Sequence, residues 1–123
     1  MSRKNNILKF QTITAASMGA GVTSAVTNIE YMDNIGIQLG FTGTPTGTFA
    51  VQVSADYAQD QFGNVSNAGN WVALTLSPSP AASGSGDNIY IDLNQLSAPW
   101  VRVVYTRTSG TGTLNAFLTS KML

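Results

Sequence analysis

The 123-residue sequence contains neither cysteine nor histidine. Without cysteine the chain has no disulfides, no thiolate metal ligands and no cysteine nucleophile, and synthesis in a reducing cytoplasm is favoured. Without histidine it lacks the commonest general base and most zinc and copper ligands. Because few groups remain for chemistry, we expect a protein that is not an enzyme and that holds no metal and no other cofactor.

Charge is scarce as well, since six basic and six acidic residues make up only 10% of the chain and cancel to a net charge of zero. A typical globular domain is about 25% charged. The neutral balance carries no footprint of nucleic-acid binding. Weakly charged surfaces repel one another little, so the composition favours a chain that works inside an assembly. A secreted β domain with a polar coat is the alternative.

Long hydrophobic runs are missing too. No apolar stretch approaches the roughly 20 residues that a membrane helix needs. Lys9 interrupts the short run Ile7–Phe10, where a signal peptide would have its apolar core, and we expect no contact with a membrane. Three of the six bases, Arg3, Lys4 and Lys9, lie in the first nine residues. This basic arm either meets an acidic partner surface or is simply a solvated terminus.

The chain does contain a clear period of two. Between Asn34 and Asp56, two alternating runs flank the linker TGTPTGT. This period is typical of strands that are buried on one side, and the linker supplies turn residues, so the two runs are predicted to form a hairpin. The predicted buried faces consist of Ile35, Ile37, Leu39 and Phe41 in the first run and Phe49, Val51, Val53 and Ala55 in the second.

Further short strands follow the same pattern. The last two, Trp100–Arg107 and Thr113–Ser120, are separated by the turn SGTG and are also predicted to pair as a hairpin. Other strands are predicted over 7–14, 22–31, 71–76 and 88–93. The intervening loops, rich in glycine, serine, asparagine and proline, are predicted over 15–21, 57–70 and 77–87.

Eight short strands without a helical run predict an all-β protein, a single-domain antiparallel β-sandwich over residues 1–123. Eight strands fit a jelly roll, and a Greek-key sandwich is nearly as compatible. Residues 1–6 precede the first strand and are interpreted as an N-terminal arm. We therefore predict a jelly-roll-like sandwich of about eight strands with an N-terminal arm, and the strand order stays open.

Aromatic residues suggest two interpretations. A surface that stacks against sugar rings is one of them, with the candidates Tyr57, Phe62, Trp71, Tyr90 and Trp100. The favoured interpretation is that Trp71 and Trp100, each at the start of a strand, cap the core at the ends of the sandwich, because aromatic rings are the largest apolar groups available. Arg102 interrupts an apolar strand and is predicted to face outward, either beside a partner or covering its own sheet.

Four carboxylates lie in or beside predicted loops, namely Asp56, Asp60, Asp87 and Asp92. Ca²⁺ takes about six to eight oxygen ligands, often from such loops. However, the spacing of a calcium-binding loop is absent, and aspartate is an ordinary turn residue. The spacing does not indicate the acid and base of a glycosidase either. We therefore expect no metal site and no catalytic residue.

Four segments of the chain resemble small virion proteins of tailed bacteriophages. They are DNIGIQLGFTGTPTGTFAVQVSADY, GNWVALTL, IYIDLNQL and PWVRVVYTRTSGTGTLNAFLTSKML, which lie within Ser24–Leu123. The most specific part begins at Pro99–Trp100 and continues through Ser109–Gly112 to Lys121. The proteins that these segments resemble are head decoration, or cement, proteins, β-sandwiches that bind the outside of the capsid lattice and reinforce it.

The resemblance implies a structural protein of the capsid exterior, made in the cytoplasm of the bacterial host, without catalytic residues. Its partner would be the major capsid protein, and we expect a homo-oligomer, a dimer or a trimer, that bridges neighbouring capsomers. The alternatives are a carbohydrate-binding module for surface glycans and a neck, tail or fibre component of the same virion. Partner contacts are predicted in the arm and on an outward sheet face, at Arg3, Lys4, Lys9, Phe10, Gln38, Gln52 and Arg102.

Overall fold

A computed structural model describes residues 7–30, 32, 34–94 and 96–121, which form twelve β-strands. In this part of the chain no helix is long and apolar enough to cross a membrane. The strands are β1 (Ile7–Ser17), β2 (Val22–Thr23), β3 (Thr27–Asn28), β4 (Asn34–Gly43), β5 (Thr46–Ser54), β6 (Ala58–Gln59), β7 (Val65–Asn67), β8 (Val72–Ala73), β9 (Ala81–Ser83), β10 (Asp87–Asn94), β11 (Trp100–Ser109) and β12 (Gly112–Lys121).

The strands form two facing sheets and a small ribbon. Sheet A has the order β1-β12-β4-β10, and sheet B has the order β2-β11-β5-β8, with β3 also on β11 and β9 also on β5. β6 and β7 form the ribbon, and all these pairs are antiparallel. Counting β2 with β3 and β8 with β9 gives eight strands, in the order 1-8-3-6 facing 2-7-4-5.

This is the strand order of a jelly roll. The predicted all-β fold, a single-domain antiparallel β-sandwich of jelly-roll type with about eight strands, is therefore confirmed. The predicted arm over residues 1–6 lies outside the described residues.

The core lies between the sheets and consists of alternate residues of the long strands. Every second residue of β4 from Ile35 to Phe41 is at most 4% exposed, which confirms the predicted alternation. The rings of Phe41, Phe49 and Tyr105 pack in series across the two sheets, with centroid separations of 5.5 and 5.0 Å. Burying a side chain of this size contributes about 1.5–3 kcal/mol, so the alternation holds the sheets together.

Both predicted hairpins are wrong. Only Thr44 and Pro45 separate β4 from β5, yet the two strands lie in different sheets, and β11 and β12 also lie in different sheets. At each connection the chain crosses the sandwich instead of folding back beside itself. Alternation predicts which side of a strand is buried. It does not distinguish a strand that returns in the same sheet from one that returns in the facing sheet.

The two crossings pack against each other at one end of the sandwich. The backbone N–H of Thr44 donates to the carbonyl oxygen of Thr111 over 2.8 Å. Gly43 and Gly110 have φ angles of 90° and 78°, which glycine adopts without steric cost. A Cβ atom at Gly43 would lie 2.6 Å from the Thr111 oxygen, and one at Gly110 would overlap the Thr44 oxygen. The close approach of the two connections therefore requires both glycines.

Two predicted strands are shorter than expected. The strand predicted over 22–31 consists of the two-residue strands β2 and β3, and the strand predicted over 71–76 is paired only at β8. Ala55, predicted on the buried face of the second alternating run, is exposed because β5 ends at Ser54. Strands of two residues have no period that a sequence pattern can reveal.

Three predicted loops contain strand residues. The loop predicted over 15–21 begins later, because β1 continues to Ser17 through register shifts between Gln11 and Ile13 and between Ile13 and Ala16. The predicted loops 57–70 and 77–87 contain the ribbon β6–β7 and strand β9. Irregularities of this kind bend an edge strand and interrupt its regular pairing, which resumes here as far as Ser17.

Replacing Gly110 with alanine tests the crossing, and Gly63→Ala is the matched control. Gly63 also has a positive φ, of 84°, but a Cβ atom there would have nothing within 4 Å. Both variants incur the cost of a positive φ, about 1–2 kcal/mol. The overlap with the Thr44 oxygen should lower the free energy of unfolding of Gly110→Ala by about a further 1–3 kcal/mol in urea denaturation. Equal losses in the two variants would contradict the steric role of Gly110.

Candidate contact surfaces

The outer face of sheet A, here called the sheet A face, is an open surface four strands wide. Its central row crosses the strands through Tyr90, Gln38, Phe117 and Gln11, which are direct neighbours in the strand register. Gln38 and Gln11 are exposed, and the Tyr90 side chain is 60% exposed. An uncharged row that contains two aromatic rings therefore crosses the middle of this face.

Two glycines of β4, Gly36 and Gly40, form shallow depressions on either side of the central row. Tyr90 leans over Gly36, where its hydroxyl lies 3.4 Å from Thr119 Oγ1 and leaves no room for a Cβ atom. The depression at Gly40 is lined by polar side chains, among them Gln38, Thr42, Asn88 and Asn115. The depression at Gly36 is lined by Asn34, Asp92, Asn94 and Lys121 among others.

Charge on the sheet A face lies at its two sides. Lys9 of β1 and Lys121 of β12 lie on one side, and Asp92 of β10 lies at the opposite edge, whereas Asp87, which pairs with the buried residue Phe41, is in the inward phase of β10. The Lys9 ammonium is 5.7 Å from the centroid of the Phe117 ring. The face therefore has a neutral centre, a basic side and an acidic side.

The outer face of sheet B carries a different group, the aromatic cluster Tyr57, Trp71 and Trp100. The buried Tyr57 ring contacts both indoles, with centroid separations of 4.8 Å to Trp100 and 5.5 Å to Trp71. The Arg102 guanidinium carbon lies 4.3 Å from the Trp71 ring centroid, and Arg102 Nε donates to Gln52 Oε1 over 2.8 Å. Arg102 thus lies on the outward face, as predicted, and covers its own sheet.

The five aromatic candidates do not form one platform. Tyr90 lies on the sheet A face, and Phe62, 79% exposed, lies in the turn between β6 and β7. Trp71 already contacts an arginine and a tyrosine, and its indole N–H donates to the Ala68 carbonyl over 3.0 Å. Trp71 and Trp100 also do not cap the core, because they pack on the outer face of sheet B, outside the cluster of core residues.

The predicted outward face that joins Gln38, Gln52 and Arg102 does not exist. Gln38 lies at the centre of the sheet A face, whereas Gln52 and Arg102 are hydrogen-bonded partners on the outer face of sheet B. Strand alternation identifies each of these residues as outward-facing. It does not say in which sheet each strand lies, so the grouping was wrong.

The two predicted contact residues Lys9 and Phe10 lie on opposite sides of sheet A. Lys9 lies on the sheet A face, at its basic side. Phe10 pairs with Leu118 on the inner side of sheet A, and its ring is 43% exposed at the open edge of the sandwich. Arg3 and Lys4 lie outside the described residues.

Phe117, in the central row, was missed by the sequence analysis. The signal was present, because Phe117 is out of phase with the buried residues Leu114, Ala116 and Leu118 of the same strand. Together with Tyr90 in the same row, Phe117 makes the centre of the sheet A face partly aromatic, which a single surface aromatic residue would not do.

The carboxylates Asp56 and Asp60 hold loop structure. Asp56 accepts hydrogen bonds from the Asn70 N–H and Nδ2, both over 2.8 Å, and from the Ser54 hydroxyl over 2.9 Å. Asp60 Oδ1 accepts from two backbone N–H groups of its own turn. Among the described residues there is no group of three or more acidic, histidine or cysteine side chains that could hold a metal ion.

These hydrogen bonds change the pKa of Asp56. The Asn70 backbone N–H, then the Asn70 side chain and the Ser54 hydroxyl, hold the pKa of Asp56 below the usual 3.8. A group with a lowered pKa stabilises the fold above its unfolded-state pKa and loses that contribution as the pH falls through its folded-state pKa. At neutral pH Asp56 therefore holds the loop at Asn70, just before Trp71. These hydrogen bonds are weakened when Asp56 becomes protonated in acid.

No protein-family model matches the sequence, and no curated protein matches it. Among solved structures, a chain of infectious bursal disease virus (Gt strain) has a TM-score of 0.55 at 9% identity, over 98% of this chain and 32% of that chain. The SPBc2 prophage-derived protein YomS has a TM-score of 0.48 at 12% identity, over 98% of each chain. A CBM4 structure has a TM-score of 0.46 at 9% identity, over 81% of this chain and 61% of that chain. The likeness to the viral chain shows the fold alone.

Replacing Asn70 with alanine tests the anchoring of the loop. The variant keeps the backbone N–H of residue 70 and loses the amide side chain, so the pKa of Asp56 should rise part of the way towards 3.8. The pKa of Asp60, lowered by Asn64 and Phe62 N–H groups, is the internal control and should not change. Carboxyl-detected NMR titration measures both values, and an unchanged Asp56 pKa would contradict the geometry.

Proposed function

We propose that this protein is a structural virion protein that binds the outer surface of a bacteriophage capsid through its sheet A face and reinforces the lattice. The observation that carries the proposal is the composition of that face. Its central row consists of aromatic and amide side chains, Tyr90, Gln38, Phe117 and Gln11, and the charged side chains lie at its two sides. Protein interfaces are similar, because charge is depleted at their centre while aromatic residues are enriched.

The size of the sheet A face supports attachment to a repeating partner. Four strands about 4.8 Å apart and about ten residues long give a footprint of about 600 Å². A standard protein interface buries about 800 Å² on each side, so the contact of one copy would be at the small end of the usual range. A symmetric shell offers many sites, and copies that are linked to one another gain effective affinity without new contacts.

In this proposal the partner is the major capsid protein, and the protein is made in the host cytoplasm and lies on the capsid exterior as a homo-oligomer. Arg3, Lys4 and the pair Gln52–Arg102 are secondary contact candidates. The neutral net charge supports binding to protein rather than to nucleic acid. A neck, tail or fibre position on the same virion would suit the same face, and electron microscopy of the particle separates these positions.

The variant Gln38→Lys tests the proposed face, with Gln61→Lys as the matched control. Both glutamines are exposed, but Gln61 lies in the turn between β6 and β7, away from the sheet A face. A lysine at position 38 would be desolvated at the centre of the contact, so binding should weaken at least about tenfold, or about 1.4 kcal/mol.

The measurement is co-sedimentation with heads assembled from the major capsid protein of the parent phage, followed by imaging of site occupancy. Gln61→Lys should bind like the wild type. Equal binding of the two variants would exclude the sheet A face from the contact, and failure of the wild type to bind any head would contradict the proposed function.

A second candidate function, binding of surface glycans, is favoured by one observation. Tyr90 presents a ring that is 60% exposed beside a depression lined by Asn34, Asp92, Asn94 and Thr119. An exposed aromatic face flanked by amide and carboxylate groups is suited to stacking against a sugar ring and to hydrogen bonding its hydroxyls. The cluster around Trp71 is less suited, because its ring already contacts Arg102.

A glycan array decides this second candidate. If the protein binds glycans through the sheet A face, Tyr90→Ala should lose the signal, since a stacked ring contributes about 1–3 kcal/mol to binding. Trp71→Ala, which removes an aromatic residue from sheet B, should keep the signal. No bound glycan, or loss in Trp71→Ala with retention in Tyr90→Ala, would exclude this assignment.

A further inference from the structure

Sheet A ends in two open edges of opposite charge. β1 pairs only with β12 in this sheet, and β10 pairs only with β4, so neither strand has a second strand beside it among the described residues. The Ala25 N–H donates to the Thr12 carbonyl oxygen over 3.1 Å, so the open part of the β1 edge is the segment Ile7–Gln11. Native proteins usually protect long edges, because an open edge is a template for pairing with another chain. Lys9 lies on the first edge strand, and Asp87 and Asp92 lie on the second.

We infer that the β1 edge of one copy pairs with the β10 edge of the next copy, so that sheet A continues from molecule to molecule in a head-to-tail assembly. Neighbouring strands of sheet A are antiparallel throughout. Across four strands, β1 and β10 therefore point in opposite directions. A second copy placed in the same orientation beside β10 presents a β1 strand that is antiparallel to it, which is the pairing that continues the sheet.

Charged residues on the outer side of the two edge strands fix the register between neighbouring copies. Within one molecule Lys9, Thr119, Gly36 and Asp92 form a single row across sheet A, with the lysine and the aspartate at its two ends. When this row continues into the next copy, Asp92 of one copy lies opposite Lys9 of the other. Both side chains are exposed, and directly opposed charges of opposite sign stabilise a strand pair.

The inner side of the same edges is complementary in a different way. Leu8 and Phe10 lie on the inner side of β1, and each is 43% exposed, although they pair with the buried residues Ser120 and Leu118. Beside β10 there is an open groove of about 430 Å³ between the two sheets. Its apolar lining includes Leu76, Pro80, Ile89 and Ile91.

The charge register brings the apolar groups together. If Lys9 lies opposite Asp92, then Phe10 lies opposite Ile91 and Leu8 lies opposite Leu93, because residues advance in opposite directions along the two strands. Phe10 would then enter the groove beside β10. One register therefore satisfies the ion pair on the outer side and covers two half-exposed apolar side chains on the inner side.

This contact is heterologous, since different edges of the two copies meet, so it produces rings or open filaments rather than isolated dimers with two-fold symmetry. The register shift after Gln11 limits regular pairing to about five residues of β1. The contact uses the edges of sheet A and leaves the sheet A face uncovered. The biological role of the edge contact rests on the proposed function. Copies that are linked through their edges would present a continuous row of sheet A faces to the capsid.

Charge reversal at the two edges tests the contact in solution, without any capsid. Lys9→Glu and Asp92→Lys each turn an attraction into a repulsion and should weaken self-association roughly tenfold. The double variant Lys9→Glu/Asp92→Lys should associate like the wild type. An equimolar mixture of the two single variants should associate too, with the two variants alternating along the assembly. In such an assembly the β1 edge of each variant meets a β10 edge of opposite charge on the other. Glu30→Lys, an exposed acid outside sheet A, is the charge-matched control.

Analytical ultracentrifugation over a concentration series measures the wild type, each variant and the mixture, and circular dichroism verifies that each variant is folded. Phe10→Ser should also weaken association, independently of charge. A monomeric wild type, single variants that associate normally, or a mixture that stays monomeric would overturn the contact. If a protein that does not self-associate decorates heads normally, the proposed function stands and the edge contact is wrong. If the protein self-associates but binds no head, the edge contact stands and the proposed function is wrong.

Discussion

The close packing of two chain crossings at one end of the sandwich sets the geometry of sheet A. Gly43 and Gly112 are direct neighbours where β4 and β12 begin to pair, and theirs is the first of ten residue pairs that run without interruption to Asn34 and Lys121. Because the crossings allow no side chain at Gly110, their approach fixes where this register begins. The register then determines which outward residues meet, including Gln38 with Phe117. The composition of the sheet A face therefore depends on a steric constraint at one end of the molecule.

The sequence is sufficient to predict the fold class but not the pairing of strands. The alternation in Ile35–Phe41 and Val101–Tyr105 reports burial on one side, and the structure agrees with it at each of these positions. The same alternation arises whether a strand returns beside its predecessor or in the opposite sheet. What separates the two outcomes is a contact between Thr44 and Thr111, which are far apart in the sequence. A local pattern contains no information about such a contact.

The candidate surfaces were predictable only in part, for the same reason. Strand alternation predicts that Gln38, Gln52 and Arg102 face outward, but the sheet to which each residue belongs is a property of the whole topology. The assignment of Trp71 and Trp100 to the core followed from their size. This assignment is wrong because Tyr57, in the segment between β5 and β8, packs against Trp71 on the outer face of sheet B. The Arg102 guanidinium also contacts the Trp71 ring there. The sequence shows that Lys9 is far from Asp87 and Asp92. Only the topology shows that these residues lie on the two edge strands, β1 and β10, of one sheet.

The pairing of β1 with β12 has a consequence for the order of events during synthesis. β1 leaves the ribosome before its neighbour β12, from which it is separated by ten other strands, so sheet A is completed only after β12 has emerged. Folds dominated by such distant pairings form slowly. Until then β1 lacks its partner strand in sheet A, so the edge that β1 would offer to a second copy in the proposed assembly is ordered only after β12 has paired with it.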